Sequence, residues 1–236
     1  AREKVQIMAL KIAEFRHAYL HCDDDKVSRQ GFKENDVPGT FEMDRSALKM
    51  VGQQRGAMLC KLDFEDVNDN DWIDPHVENQ VAKASCKEII EYGSGDKTVV
   101  LIDCGVKHNI IRSLLKRNVK ILRVPWDYDF NQLEWDGLFI TNGPGNPDFC
   151  EITVQNIRKA MDGNKPICGI CMGNQLLAKA GGATTYKLKY GHRSHNQPVK
   201  MVGTDTCYIT SQNHGFAVSN ASLGEEWETL FINLTD

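Results

Sequence analysis

The chain has 236 residues and a mass of 26.6 kDa, room for one large domain or two modest ones. Hydrophobic residues make up 41% and charged residues 25%, a globular composition that excludes a disordered, collagenous or coiled-coil chain. Against 32 Asp and Glu stand 28 Lys and Arg, and the formal charge of -4 is spread without a long block of one sign; this argues against nucleic acid or an anionic membrane as partner and leaves a small polar substrate compatible.

The N-terminal Ala1-Arg-Glu-Lys-Val5 lacks the apolar stretch of a signal peptide. No apolar run approaches the roughly 20 residues that cross a bilayer, so a soluble protein is expected. Val5 to Ile12 alternates in the manner of a strand, and Val27 to Asn35 reads as a polar helix closed by the Val37-Pro-Gly turn. Asp44 is placed as the N-cap of a further helix whose apolar face holds Ala47, Leu48, Met50 and Val51. Residues 92–97, Tyr-Gly-Ser-Gly-Asp-Lys, combine glycine with polar residues and are expected to link a small domain over 1–91 to a second domain over 98–236.

Beyond Thr98 buried strands alternate with amphipathic helices. Thr98 to Asp103 is a continuous apolar strand; Ile110, Ile111, Leu114 and Leu115 repeat at helical spacing; Val119 to Val124 returns to strand. Asp136 to Thr141 supplies a third strand, Val154, Ile157 and Met161 a second helix, and Pro166 to Ile170 a fourth strand that runs into a helix over 175–180. Gly181-Gly182 stops that helix through a left-handed cap. The alternation predicts an α/β fold with a doubly wound, mostly parallel sheet, whose ligands sit at the carboxyl ends of the strands.

Gly169-Ile-Cys171-Met-Gly173 falls where a buried strand gives way to a helix, the setting of a nucleophile elbow with Cys in place of Ser. Glycines let the backbone make so sharp a turn, and the helix N-terminus favours thiolate over thiol. A small cysteine beside two glycines also suits simple tight packing. Cys168-Gly-Ile-Cys171 has the spacing of a redox pair or half a zinc site. Against that, Cys168 falls inside the expected strand, where it reads as a small apolar residue, and no second such pair completes four ligands. Eight cysteines in all, at 22, 60, 86, 104, 150, 168, 171 and 207, show no framework spacing and favour a reducing compartment. Asn142-Gly-Pro-Gly145 follows the third strand and either aims N–H groups at a ligand oxygen or serves as an ordinary turn. Ser211 to Val218 ends a strand-like run with side chains that donate and accept together, and His214 within it reads as a hydrogen-bonded structural residue rather than a general base. His192 and His195 are expected in a solvated loop, without a metal.

These segments, in the order Val37-Pro-Gly with Asp44, Asp103-Cys-Gly-Val-Lys107, Val124-Pro-Trp126, Asn142-Gly-Pro-Gly145, Gly169-Ile-Cys171, His195-Asn-Gln-Pro198 and Gln212-Asn-His-Gly-Phe216, resemble the class I, or triad, glutamine amidotransferases, and among them the glutaminase region of carbamoyl phosphate synthetase. The upstream part resembles the small domain peculiar to that synthetase. The resemblance implies that Cys171 attacks the glutamine carboxamide, forms a γ-glutamyl thioester and releases ammonia to a large synthetase region, fused or separate. By the same resemblance Gly143 and Met172 would supply oxyanion N–H groups, and Gly145, Gln175, Asn213, Gly215 and Phe216 would hold L-glutamine. It implies no cofactor and no metal in this chain, ATP and Mg belonging to the synthetase region. It places the protein in the cytoplasm or the mitochondrial matrix, in pyrimidine, arginine or urea metabolism.

Three departures accompany it. Asn174 stands where the family often has His, Asp44-Arg45-Ser46 replaces Asp-Thr-Arg, and the His-Pro-Glu segment that carries the family's catalytic His and orienting Glu does not occur before Asp236. The chain is therefore expected to be an interior fragment, truncated in both domains and weakly active alone. The alternative from another class of function is a catalytically silent glutamine-binding or scaffolding domain that regulates a synthetase partner.

Overall fold

The structure, a computed structural model, describes residues 10–11, 39–40, 45–56, 58–59 and 74–235. Two units divide between Ile73 and Asp74, with Lys107–Asn109 counted in the first. In that first unit β1 (Leu10–Lys11) and β2 (Gly39–Thr40) pair in parallel, and α1 (Arg45–Arg55) takes up the helix expected after Asp44. Met50 and Val51, placed on its apolar face, are exposed. The helix over 27–35, the Val37-Pro step and the Asp44 cap lie outside the described residues.

The second unit opens with α2 (Gln80–Ala84), capped by Asn79, whose side-chain oxygen accepts from the Ala82 N–H at 2.9 Å. There follow β3 (Ile90–Tyr92), β4 (Lys97–Asp103), α3 (His108–Leu115), β5 (Val119–Pro125), β6 (Gly137–Ile140), α4 (Glu151–Met161), β7 (Ile167–Gly169), α5 (Met172–Ala180), β8 (Thr185–Met201), β9 (Cys207–Val218) and β10 (Phe231–Asn233). Five strands form one sheet in the order β3-β5-β4-β6-β7, parallel except for β3 at its edge. On central β4 the side chains alternate: Val100 and Ile102 join Val154 and Ile157 of α4 and Leu176 of α5, while Leu101 joins Ile111 of α3 and Ile121 of β5. Burial on both faces is why β4 reads as an unbroken apolar run, and the fold is the doubly wound α/β arrangement that the alternation predicts.

Gly181 and Gly182 end α5 in a Schellman motif. Gly182 takes φ +90°, its N–H donates to Lys179 O at 3.0 Å, and Ala183 N–H donates to Ala178 O at 2.9 Å. The stretch 92–97 connects β3 to β4 inside the second unit. Ile90–Tyr92 finds an antiparallel partner in β5, and a Cβ on Gly95 would lie 1.9 Å from the Asn118 carbonyl oxygen. The two compact units divide upstream of this stretch, and β3 finds its strand partner in β5, distant in sequence.

After α5 the chain builds a three-stranded antiparallel sheet in the order β10-β8-β9, with register shifts between Lys187 and His192 and between Ser194 and Gln197. Among the described residues no helix is long and apolar enough to cross a membrane.

Candidate active site

β6 and β7 are parallel neighbours, so the chain leaves both at one end of the sheet. Past β7 the backbone turns hard: Cys171 holds φ +55° and ψ −108°, and α5 begins at the next residue. For a non-glycine residue this conformation costs on the order of 1–3 kcal/mol and persists only where the surroundings impose it. Those surroundings are the two glycines. A Cβ on Gly169 would sit 2.4 Å from the backbone of Gly173, and one on Gly173 would sit 2.2 Å from the Ile140 carbonyl oxygen. Their absence lets α5 start directly against β6. Cys171 is partly exposed, and its sulfur lies 3.9 Å from the Asn213 carbonyl oxygen on β9.

The loop after β6 is fixed just as closely. Thr141 Oγ1 accepts from the Cys104 N–H at 3.0 Å and donates to the Asn142 carbonyl, while Asn142 Nδ2 donates to Gly105 O at 3.3 Å. A Cβ on Gly143 would lie 2.3 Å from the Cys104 carbonyl oxygen. Beneath that contact Asp103 is wholly buried. Its carboxylate accepts from the N–H groups of Gly105, Val106 and Cys86 at 2.9, 2.8 and 2.7 Å, and from Arg123 Nε and Nη2 at 3.0 and 2.7 Å. Burial alone would raise its pKa; the Val106 N–H, the Arg123 guanidinium and the Cys86 N–H outweigh it and hold the carboxyl below its ordinary value.

β9 closes the arrangement. Gln175, buried on α5, donates from Nε2 to the Phe216 carbonyl at 2.7 Å, and its N–H bonds to Cys171 O at 3.1 Å. His214 Nδ1 meets the same Phe216 carbonyl at 2.8 Å, and its Nε2 lies 2.9 Å from Gln212 Oε1 and 3.3 Å from His192 Nδ1. Asn233 of β10 donates to both Gln212 Oε1 and His192 Nδ1. Of the residues singled out in the sequence, Cys171, Met172 and Gln175 therefore lie on the elbow and the start of α5, Gly143 and Gly145 on the neighbouring loop, and Asn213, Gly215 and Phe216 on the strand laid beside them.

The family of glutamine amidotransferases of class I matches residues 100–236, more than half of the chain. The chain belongs to this family. This amidotransferase is 42% identical over 238 residues to the multifunctional protein CAD of Squalus acanthias, covering 99% of its own length and 11% of that protein. It is 37% identical over 235 residues to the mitochondrial carbamoyl-phosphate synthase (ammonia) of Homo sapiens, covering 98% and 16%. With the arginine-specific small chain of carbamoyl phosphate synthase from Saccharomyces cerevisiae it shares 37% over 243 residues, covering 98% and 59%. It spans less than two thirds of each of these relatives.

Three side chains of the amidotransferase depart from expectation. His192 and His195 belong to β8 rather than to a loop: His192 is buried in the Gln212 and His214 network, and only His195 is exposed, bonded to Ser211. Cys168 is on β7 as expected but is exposed, because β7 pairs on one side only among the described strands. Three other thiols are held protonated. Burial, reinforced by Asp103, raises Cys86 to about 11, burial raises Cys150 to about 12, and burial raises Cys104 as well. Among the described residues no group of three or more His, Cys, Asp or Glu is placed to hold a metal.

Sequence reasoning missed the segment over 74–86. Gln80 packs on Gly145, Asn79 Nδ2 donates to Phe149 O at 3.0 Å, the His76 ring stands edge-on to Phe216 with centroids 6.1 Å apart, and the Cys86 N–H reaches Asp103. Nothing local in the sequence ties this polar stretch to β9 or to the loop after β6; its one readable signal is Asn79, a cap residue three positions before the Ala82 N–H that it accepts.

Proposed function

We propose that this amidotransferase region hydrolyses L-glutamine and delivers the ammonia to a carbamoyl phosphate synthetase region, fused to it or separate, with Cys171 as nucleophile. The observation that carries the reading is the strained, partly exposed Cys171 at the N-cap of α5, with Asn213 beside its sulfur and Phe216 held by Gln175 of the same helix. The positive end of the nine-residue α5 favours the thiolate. The sulfur attacks the carboxamide carbon, and the charge that develops on the carbonyl oxygen is taken by the N–H groups of Gly143 and Met172. Such a donor is worth about 10²–10³ in rate. The C–N bond then breaks and the nitrogen leaves as ammonia on gaining a proton, with Cys171 left as a γ-glutamyl thioester. Water attacks that carbonyl, the C–S bond breaks, glutamate is released and the thiol is regenerated. Gly145, Gln175, Asn213, Gly215 and Phe216 hold the amino acid. ATP and Mg act in the synthetase region, and the compartment is the cytoplasm or the mitochondrial matrix.

Intact mass spectrometry of the chain incubated with glutamine tests this. A γ-glutamyl adduct is expected on wild type and on Cys168→Ser, and none on Cys171→Ser. Equal loss in both variants would assign the chemistry to a Cys168 and Cys171 redox pair. An adduct absent from wild type would leave a regulatory domain without chemistry of its own.

A further inference from the structure

Two buried side-chain polar atoms of the described residues have no hydrogen-bond partner: Thr185 Oγ1 at the start of β8, and Nδ1 of His76. His76 is the one that touches the site. Its backbone N–H donates to Asp74 Oδ1 at 2.8 Å, and the Val77 N–H returns to Asp74 O at 3.3 Å, which fixes the turn that carries the ring. Four residues on, Gln80 packs against Gly145, and the His76 ring itself stands edge-to-face with Phe216, whose carbonyl is held by Gln175 and His214. The orphaned nitrogen thus belongs to a ring packed on Phe216, a residue of the proposed glutamine pocket.

An unmade hydrogen bond at a buried atom is costly, and a buried N–H without an acceptor is the rarest form of it. The neutral tautomer with the proton on Nε2 avoids that form and leaves Nδ1 as a lone pair facing inward. A lone pair calls for a donor. An amino-acid substrate brings one, its α-ammonium group with three N–H bonds, whereas its carboxylate has nothing to offer that atom. We propose that His76 is a substrate-positioning residue, Nδ1 accepting a hydrogen bond from the α-ammonium of the bound amino acid; this rests on the reading of Cys171 as the nucleophile toward glutamine.

The test is alkylation of Cys171 in the whole chain by three reagents: the chloromethyl ketone analogue of glutamine, the same ketone lacking the α-amino group, and iodoacetamide. His76→Phe keeps an aromatic edge on Phe216 and removes both nitrogens; His76→Asn restores a short acceptor. In His76→Phe the half-saturating concentration of the amino-acid ketone is expected to rise about tenfold or more, as for loss of a hydrogen bond to a charged group. The rate at saturation, the rate with iodoacetamide and the behaviour toward the deaminated ketone are expected to match wild type, and His76→Asn to recover part of the loss. A half-saturating concentration within about twofold of wild type overturns the proposal. So does an equal slowing with iodoacetamide, which assigns His76 to support of the elbow alone. If the wild-type chain shows no saturable alkylation by the amino-acid ketone, the reading of Cys171 fails and this inference with it; if wild type saturates and His76→Phe is unchanged, only the inference fails.

Discussion

Asp103 and Cys171 show two opposite ways in which one residue stores free energy at this end of the sheet. Cys171 is held in an unfavourable conformation by its neighbours, while Asp103 is a buried charge whose hydrogen bonds and ion pair with Arg123 offset its desolvation. The folded pKa of Asp103 lies below its unfolded value of about 3.9, so its contribution is complete above that value and is lost as pH falls through the lower, folded one. Urea unfolding at neutral pH is expected to show Asp103→Asn less stable by about 3–5 kcal/mol, since the half-buried Arg123 loses its charged partner and the buried cluster of N–H groups its carboxylate. Between neutral pH and pH about 3 the variant should also lose less stability than wild type. An unchanged acid slope would show that other carboxylates govern the transition. None of this was legible in Asp103-Cys-Gly as a sequence, because Arg123 and Cys86 are brought to it by β5 and by the segment after α2.

At the scale of elements, the elbow is a contact between α5 and β6 made through glycine. In a helix Ala is ordinarily better than Gly by about 1 kcal/mol. Gly173→Ala is expected to run the other way, destabilising by about 1–3 kcal/mol through overpacking against the Ile140 carbonyl, with slower alkylation of Cys171. Thermal unfolding together with iodoacetamide kinetics checks it, and a gain in stability would mean that the helix start has room to move. The parallel strands and their helices were legible because burial on both faces leaves an unbroken apolar run and a helix leaves a 3.6-residue period. β3 was not: Ile90-Glu-Tyr92 is three residues long, and its standing as a strand comes from β5. The exposure of Cys168 was hidden for the same reason, since a strand's pattern does not say whether it lies at a sheet's edge.

Over the whole second unit, the five-stranded sheet is covered on both faces while the three-stranded sheet leaves Tyr208, Ile209, Phe231 and Ile232 exposed, Ile209 at 70%. Exposed apolar side chains contribute little to folding and favour self-association. Ile209→Lys is therefore expected to change the unfolding free energy by less than about 0.5 kcal/mol and to lower any concentration-dependent association in sedimentation. A large drop in stability would show Ile209 to be packed. Residues 98–182 were read correctly in type and order because hydrophobic period and glycine chemistry are local properties of a chain, and the elbow was legible within them as a cysteine between glycines at a change of period. Which residues meet there was a matter for three dimensions. Hydrogen bonds between Gln175 and Phe216, packing of Gln80 on Gly145 and the edge of His76 on Phe216 join segments separated by tens of residues. The one-dimensional pattern carries burial and turn propensity; partner choice depends on the summed packing of the folded chain, and only the tertiary structure decides it.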